Sequence, residues 1–89
     1  MKGKLREAID RARFTSGDYR VQFRDKKRLA EVSINDFWEI ADIIPEHRVA
    51  RVLRNGESIY QSVNADLLTL PVEKVTDVSV FKTSSSDKE

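Results

Sequence analysis

The sequence predicts an α+β fold, a two-layer sandwich in which an antiparallel sheet of about five strands carries two helices on one face. Two segments repeat apolar residues with the helical period, and the remaining segments alternate with a period of two or flank a turn signal. The resulting element order is α-β-β-α-β-β-β. The alternative is a small, strongly curved β-barrel made from the later strands, with the helices plugging one end.

The first helix is predicted over residues 2–13. Its apolar residues recur at i, i+3, i+4 and i+7 and are Leu5, Ala8, Ile9 and Ala12. Gly17 suits the left-handed position that follows a helix, so the helix should end in the segment leading to it. Phe14 is expected to fold back onto the core.

The first hairpin follows, because the apolar period changes to two at residue 19. Its inward residues are Tyr19, Val21 and Phe23 on the first strand and Ala30, Val32 and Ile34 on the second. Residues 25–28 form a polar turn between the strands. Glu31 points outward, and we expect it to lie across from an arginine of the first strand.

The central helix has signals at both ends. Ser33 followed by Asp36 fits a capping box, although Asn35 is a second candidate for the cap. Pro45 disfavours helical geometry at the residue before it, so the helix should continue to Ile44 and stop. The apolar face consists of Phe37, Ile40, Ala41 and Ile44.

A second hairpin is predicted around Asn55-Gly56, the dipeptide that best fits a type I′ turn. Its first strand alternates poorly, because Val49 and Leu53 share a face with Arg51. Either both faces of this strand are partly covered, or a bulge shifts the register.

The C-terminal part is predicted from short patterns. Residues 67–71 are extended or form a short helical turn, and Val75 to Phe81 reads as the last strand. Residues 1–82 therefore form one α+β domain. Residues 83–89 contain no apolar side chain and are expected to be a disordered tail.

Composition argues against several classes of function. The chain has no Cys, a single His (His47) and three scattered Gly, so no catalytic residues, metal site or cofactor are predicted. We expect the protein not to be an enzyme. No apolar stretch resembles a signal peptide or membrane span, which predicts a cytoplasmic protein without membrane contact.

The charge is uneven although the net charge is only +1. Residues 1–28 hold ten Lys or Arg against four Asp or Glu, and the rest of the chain is acidic. The candidates for binding nucleic acid are Arg20, Arg24, Lys26, Lys27 and Arg28. They lack outward aromatic residues on which bases could stack, so sequence-tolerant nucleic-acid binding through this hairpin is the second hypothesis.

The first hypothesis is a small regulatory or accessory module that binds a protein partner, with self-association as one form of that binding. It rests on Trp38, at the edge of the apolar face of the central helix, and on Tyr60 and Phe81. Large aromatic side chains are favoured interface anchors because they bring much contact area at low entropic cost.

Overall fold

The computed structural model describes residues 3–81. The helices are α1 (Gly3–Arg11), α2 (Ile34–Ile40) and α3 (Ala65–Leu68), with a 3-10 turn at Glu46–Arg48. The strands are β1 (Tyr19–Asp25), β2 (Arg28–Ser33), β3 (Val49–Arg54), β4 (Glu57–Gln61) and β5 (Val72–Lys74). The predicted disordered tail, residues 83–89, lies outside the described residues.

The strands form one sheet in the order β4-β3-β1-β2-β5. The α+β class and the five strands are confirmed, and the sheet is not closed into a barrel. The sheet is mixed rather than antiparallel throughout, because β5 pairs parallel to β2. The parallel pairing arises because the chain leaves β4 at one edge and crosses the sheet to add β5 at the other.

The main core lies between the sheet and the helices α1 and α2. Its buried residues are Leu5, Ala8, Ile9, Val21, Phe23, Ala30, Val32, Phe37, Ile40, Ile44, Val49, Val52 and Val78. At its centre the rings of Phe23 and Phe37 lie 6.2 Å apart. Full burial of each large apolar side chain contributes about 1.5–3 kcal/mol, so this face supplies most of the hydrophobic stabilisation.

The opposite face of the sheet is partly covered by residues 62–71, which we call the crossing segment. This segment contains α3 and places Leu67 against Leu29 of β2 and Ala50 of β3 in a second, smaller core. Arg51 donates a hydrogen bond to the carbonyl of Leu68 (3.2 Å) and ties the segment to β3. Of the two forms expected for residues 67–71, the helical turn occurs, but it spans Ala65–Leu68 and so begins earlier than predicted.

The second hairpin contains both features that the sequence left open. A bulge occurs where Gln22 pairs with Arg51 but Phe23 pairs with Val49, which leaves Ala50 as the extra residue. Ala50 is buried on the second face, so both faces of β3 are also covered. The turn has φ of 53° at Asn55 and 86° at Gly56, as a type I′ turn requires.

The central helix begins as predicted but ends early. The Ser33 hydroxyl accepts a hydrogen bond from the backbone N–H of Asp36 (3.2 Å). The predicted continuation to Ile44 is wrong: the helix stops at Ile40, and the chain changes to a turn in which the backbone N–H of Ile43 donates to the carbonyl of Ile40 (3.0 Å), before the position that Pro45 restricts. Ile44 is nevertheless buried in the main core.

The last predicted strand is wrong in position and type. The strand spans Val72–Lys74, and the chain turns helical over residues 79–81. The Asp77 carboxylate accepts hydrogen bonds from the backbone N–H (3.0 Å) and hydroxyl (2.6 Å) of Ser79, which starts this turn. Phe81 then packs on Phe23, so the apolar spacing here was helical.

The structure also corrects the placement of Phe14. Its side chain is 84% exposed and does not return to the core. The backbone N–H and the hydroxyl of Thr15 both donate to the carbonyl of Arg11, which closes the end of α1 before Phe14 can turn inward.

Candidate binding surfaces

Strand β4 forms one edge of the sheet. It pairs with β3 on one side, and no strand within residues 3–81 pairs with its other side. The strand has no proline, and its only charged residue is Glu57, beside the turn. Ile59 and Tyr60 are half-buried, while the remaining three residues are exposed. An edge of this kind presents unpaired backbone donors and acceptors to solvent.

Tyr60 lies at the rim of the main core, with its side chain near the 3-10 turn. A cleft of about 470 Å³ opens beside it, lined by Glu46, His47, Tyr60, Ser62, Val63 and Asn64. Burial raises the pKa of the Tyr60 phenol, and the negative charge of Glu46 raises it further. The phenol is therefore neutral at physiological pH, and its hydroxyl can both donate and accept hydrogen bonds.

Trp38 lies in a different cleft, between α1 and α2. Its ring is 6.4 Å from that of Phe37, and the guanidinium of Arg13 lies 4.3 Å from the centre of the indole. The arginine therefore already covers a face of the ring by a cation–π interaction. A partner that used this indole would compete with Arg13.

Phe81 lies elsewhere again. Its ring meets that of Phe23 edge-on at 5.2 Å, so it packs against the main core from the C-terminal turn. The structure thus places Trp38, Tyr60 and Phe81 at separate margins of one core. Two exposed apolar residues were not among the predicted binding residues: Phe14, which was expected in the core, and Val63.

Two of the five cations predicted to bind nucleic acid are neutralised within the fold. Arg20 lies 3.3 Å from a carboxylate oxygen of Asp18 and 3.8 Å from one of Glu31. Arg28 pairs with Asp25 (2.9 Å) and with Glu73 of β5. The hydrogen bonds that Arg28 donates to Asp25 and then to Glu73 raise the pKa of its guanidinium, as expected for a cation held between two carboxylates.

The other three hairpin cations have no carboxylate partner among residues 3–81. Arg24, Lys26 and Lys27 are all exposed. The Nε–H of Arg24 donates to the carbonyl of Lys26 (3.0 Å), which orients the guanidinium over the hairpin turn. Lys26 itself has a φ of 60°, a left-handed conformation that this tight turn imposes.

A cleft of about 570 Å³ joins this turn to the 3-10 turn and to the start of α3. Its lining residues are Arg24, Asp25, Lys26, His47, Arg48, Asn64 and Leu67. Arg48 was not among the predicted site residues, because it is distant in the chain from the first hairpin. It lies at the end of the 3-10 turn that Pro45 precedes. Only the tertiary fold brings it beside the hairpin.

A polar cluster lies on the second face of the sheet, where the sequence predicted that Glu31 faces an arginine of the first strand. The amide of Gln22 donates to Glu31 (2.9 Å) and accepts from Arg51 (2.9 Å). Gln22 and Glu31 are only 6% and 8% exposed. The residue directly across from Glu31 is Gln22 and not an arginine, and Glu31 meets the outer-face Arg20 diagonally, at 3.8 Å.

None of the helices within residues 3–81 is long and apolar enough to cross a bilayer. In the same residues no group of three or more His, Asp or Glu side chains is placed to hold a metal ion. Comparison with protein-family models, with curated proteins and with solved structures finds no match. The function is therefore inferred from the geometry alone.

Proposed function

We propose that this protein is a small, non-enzymatic regulatory module that acts by protein–protein interaction, through strand addition at β4. The observation that carries the proposal is the open outer side of β4, a five-residue edge strand without proline. Strand addition needs a free sheet edge, which supplies affinity through backbone hydrogen bonds. Each such bond contributes about 0.5–1.5 kcal/mol.

The partner that best fits this edge is a second copy of the chain. β4 contains a bulge, because Val52 pairs with Tyr60 and Leu53 with Ser58, which leaves Ile59 as the extra residue. Two β4 strands that pair antiparallel about this bulge would place Glu57 of one copy opposite Gln61 of the other. No like charges then meet at the junction. This arrangement is a closed two-fold pairing, the commonest symmetry of soluble oligomers. It also covers the half-buried side chain of Tyr60, a residue type that interfaces favour.

The test is sedimentation velocity over a series of protein concentrations, with two double variants. Ser58→Glu with Gln61→Glu adds charge to the free edge, and the new carboxylate at position 61 of one copy would face Glu57 of the other. Self-association should therefore weaken by about tenfold or more. The matched control, Asn35→Glu with Thr76→Glu, adds the same charge at exposed positions away from β4 and should associate like the parent.

Two outcomes would contradict the proposal. A parent protein that stays monomeric at every concentration would remove the second copy as partner. Equal association of the edge variant and the parent would show that the contact lies on another surface. Circular dichroism of all three proteins checks that the substitutions leave the fold intact.

Nucleic-acid binding is the second candidate. The observation that favours it is the absence of carboxylate partners for Arg24, Lys26 and Lys27 within residues 3–81. If these cations contact phosphates, the affinity for mixed-sequence oligonucleotides should fall steeply with salt, with a log–log slope of about −2 to −3. Reversing all three charges should abolish the binding. The leading proposal instead expects no micromolar binding at physiological salt.

A further inference from the structure

The cleft that joins the β1–β2 turn to the 3-10 turn combines cations from two separate parts of the chain. Arg24 and Lys26 come from the first hairpin, and Arg48 comes from the end of the 3-10 turn. Its volume of about 570 Å³ falls within the usual range for small-ligand sites, roughly 300–1,000 Å³. Leu67, which is buried, lines the cleft from α3.

The charge in this cleft is not compensated from inside the fold. Arg24, Lys26 and Arg48 form no ion pair with any carboxylate among residues 3–81. In the part of the chain that the structure describes, the one carboxylate that lines the cleft belongs to Asp25, and it accepts hydrogen bonds from both Nε (3.3 Å) and Nη2 (2.9 Å) of Arg28. Converging cations without internal counter-charges favour an anionic ligand.

The donors are also partly held in place. Arg24 uses its Nε–H on the carbonyl of Lys26, which leaves both of its Nη groups available. The side-chain oxygen of Asn64 accepts from the backbone N–H of Asp66 (3.0 Å), so its amide nitrogen remains a donor without a partner in the described chain. A planar guanidinium supported in this way suits two oxygens of one phosphate group.

We propose that this cleft binds a phosphate group, with Arg24, Lys26 and Arg48 as the charged contacts and Asn64 as a neutral donor. The site is independent of the β4 edge. The phosphate can belong to a small phosphorylated ligand or to a nucleic-acid backbone. Pyrophosphate represents the first source, and an oligonucleotide without terminal phosphates represents the second. The second source would give the nucleic-acid candidate a defined location.

The experiment is a titration of the ¹⁵N-labelled protein, followed by NMR, with pyrophosphate and with an oligonucleotide that lacks terminal phosphates. Binding in the cleft should shift the amide signals of Lys26, Arg48 and Asn64 in a saturable way. The variant Arg24→Gln with Arg48→Gln should weaken binding by about tenfold or more, since two charge-assisted contacts are lost. Lys4→Gln with Arg11→Gln, the same charge change on α1 outside the cleft, should bind like the parent.

Saturable shifts with pyrophosphate, lost in the cleft variant, support a small phosphorylated ligand. Tighter binding of the oligonucleotide with the same loss supports a backbone phosphate. The proposal is overturned if neither probe binds, if the shifts spread over all basic residues without saturation, or if the cleft and control variants bind equally. If the cleft and control variants bind the oligonucleotide equally, the protein binds nucleic acid through another surface. If the double variant does not fold, Lys26→Gln alone replaces it.

Discussion

At the scale of single residues, Phe37 and Trp38 are neighbours with different surroundings. Phe37 is completely buried against Phe23, whereas Trp38 is half-buried beneath Arg13. Phe37→Ala should therefore reduce the free energy of unfolding by about 3–5 kcal/mol, and Trp38→Ala by distinctly less. Denaturant melts followed by circular dichroism measure both, because the only Trp is lost in one variant. Equal losses would make Trp38 a core residue and remove it as an interface candidate.

Gly56 allows a test in which backbone strain is isolated from packing. Its φ is 86°, yet a Cβ added there would meet no atom within 4 Å. Gly56→Val should cost about 1–2 kcal/mol purely through the left-handed conformation. Asn55→Gly, at the neighbouring position with φ of 53°, introduces no strain but removes the hydrogen bond that the Asp18 N–H donates to the Asn55 side chain (2.9 Å), so it should cost about 0.5–1.5 kcal/mol. An unchanged denaturant midpoint for Gly56→Val would be incompatible with the observed turn.

The sequence alone predicted those features that depend only on neighbouring residues. The Ser33 cap and the Asn55-Gly56 turn each depend on neighbours within a few residues, and both are confirmed. The neutralisation of Arg28 was not readable, because its second partner, Glu73, lies 45 residues away. Arg48 was missed for the same reason. Binding sites assembled by tertiary contacts leave little trace in sequence spacing.

At the scale of elements, the polar cluster on the second sheet face links β1, β2 and β3. Glu31→Ala would leave the buried amide of Gln22 without its acceptor and should cost about 1–3 kcal/mol. Asp18→Ala removes the other, exposed carboxylate beside Arg20 and should cost much less. In a double-mutant cycle, Gln22 and Glu31 should couple by about 0.5 kcal/mol or more. Additive losses would show that the hydrogen bond contributes nothing measurable.

The elements that were predicted inaccurately are those with a competing local signal. Thr76, Val78 and Val80 suggested alternation, but the Asp77 carboxylate caps Ser79 and imposes a helical turn, which leaves Val80 exposed. In β3 the bulge at Ala50 interrupts the alternation of residues between the two faces of the sheet. The odd or even position of a residue therefore does not show which face it lies on. Both cases are side-chain or backbone irregularities that a fixed period cannot represent.

At the scale of the whole molecule, self-association through β4 should appear as a stability that depends on concentration. A native state that dimerises is stabilised by mass action, so the melting temperature should rise with protein concentration. The β4 edge variant, Ser58→Glu with Gln61→Glu, should melt at a concentration-independent temperature. A parent melting temperature that does not change with concentration would contradict dimerisation.

The two-layer arrangement of the whole chain followed from its amphipathic patterns, because each apolar face must be buried on another. The parallel β2–β5 pair and the coverage of the second face did not follow. They depend on the path of the crossing segment, whose few apolar residues fit an extended stretch or a helical turn equally well. Only its contacts with Leu29 and Ala50 define that path.

The crossing segment and β5 also determine how the native state can open. The Leu29 amide is bonded to the carbonyl of Pro71 (2.7 Å) and the Val75 amide to that of Glu31 (2.9 Å), so both depend on this part of the chain staying in place. In native-state hydrogen exchange these amides should exchange through a sub-global opening, at lower free energy than amides shared by β1 and β3. Val78 and Phe81 remain fixed in the main core beyond it. The opening therefore releases a loop that is held at both ends instead of a free terminal segment. This limits the conformational entropy that the released segment gains.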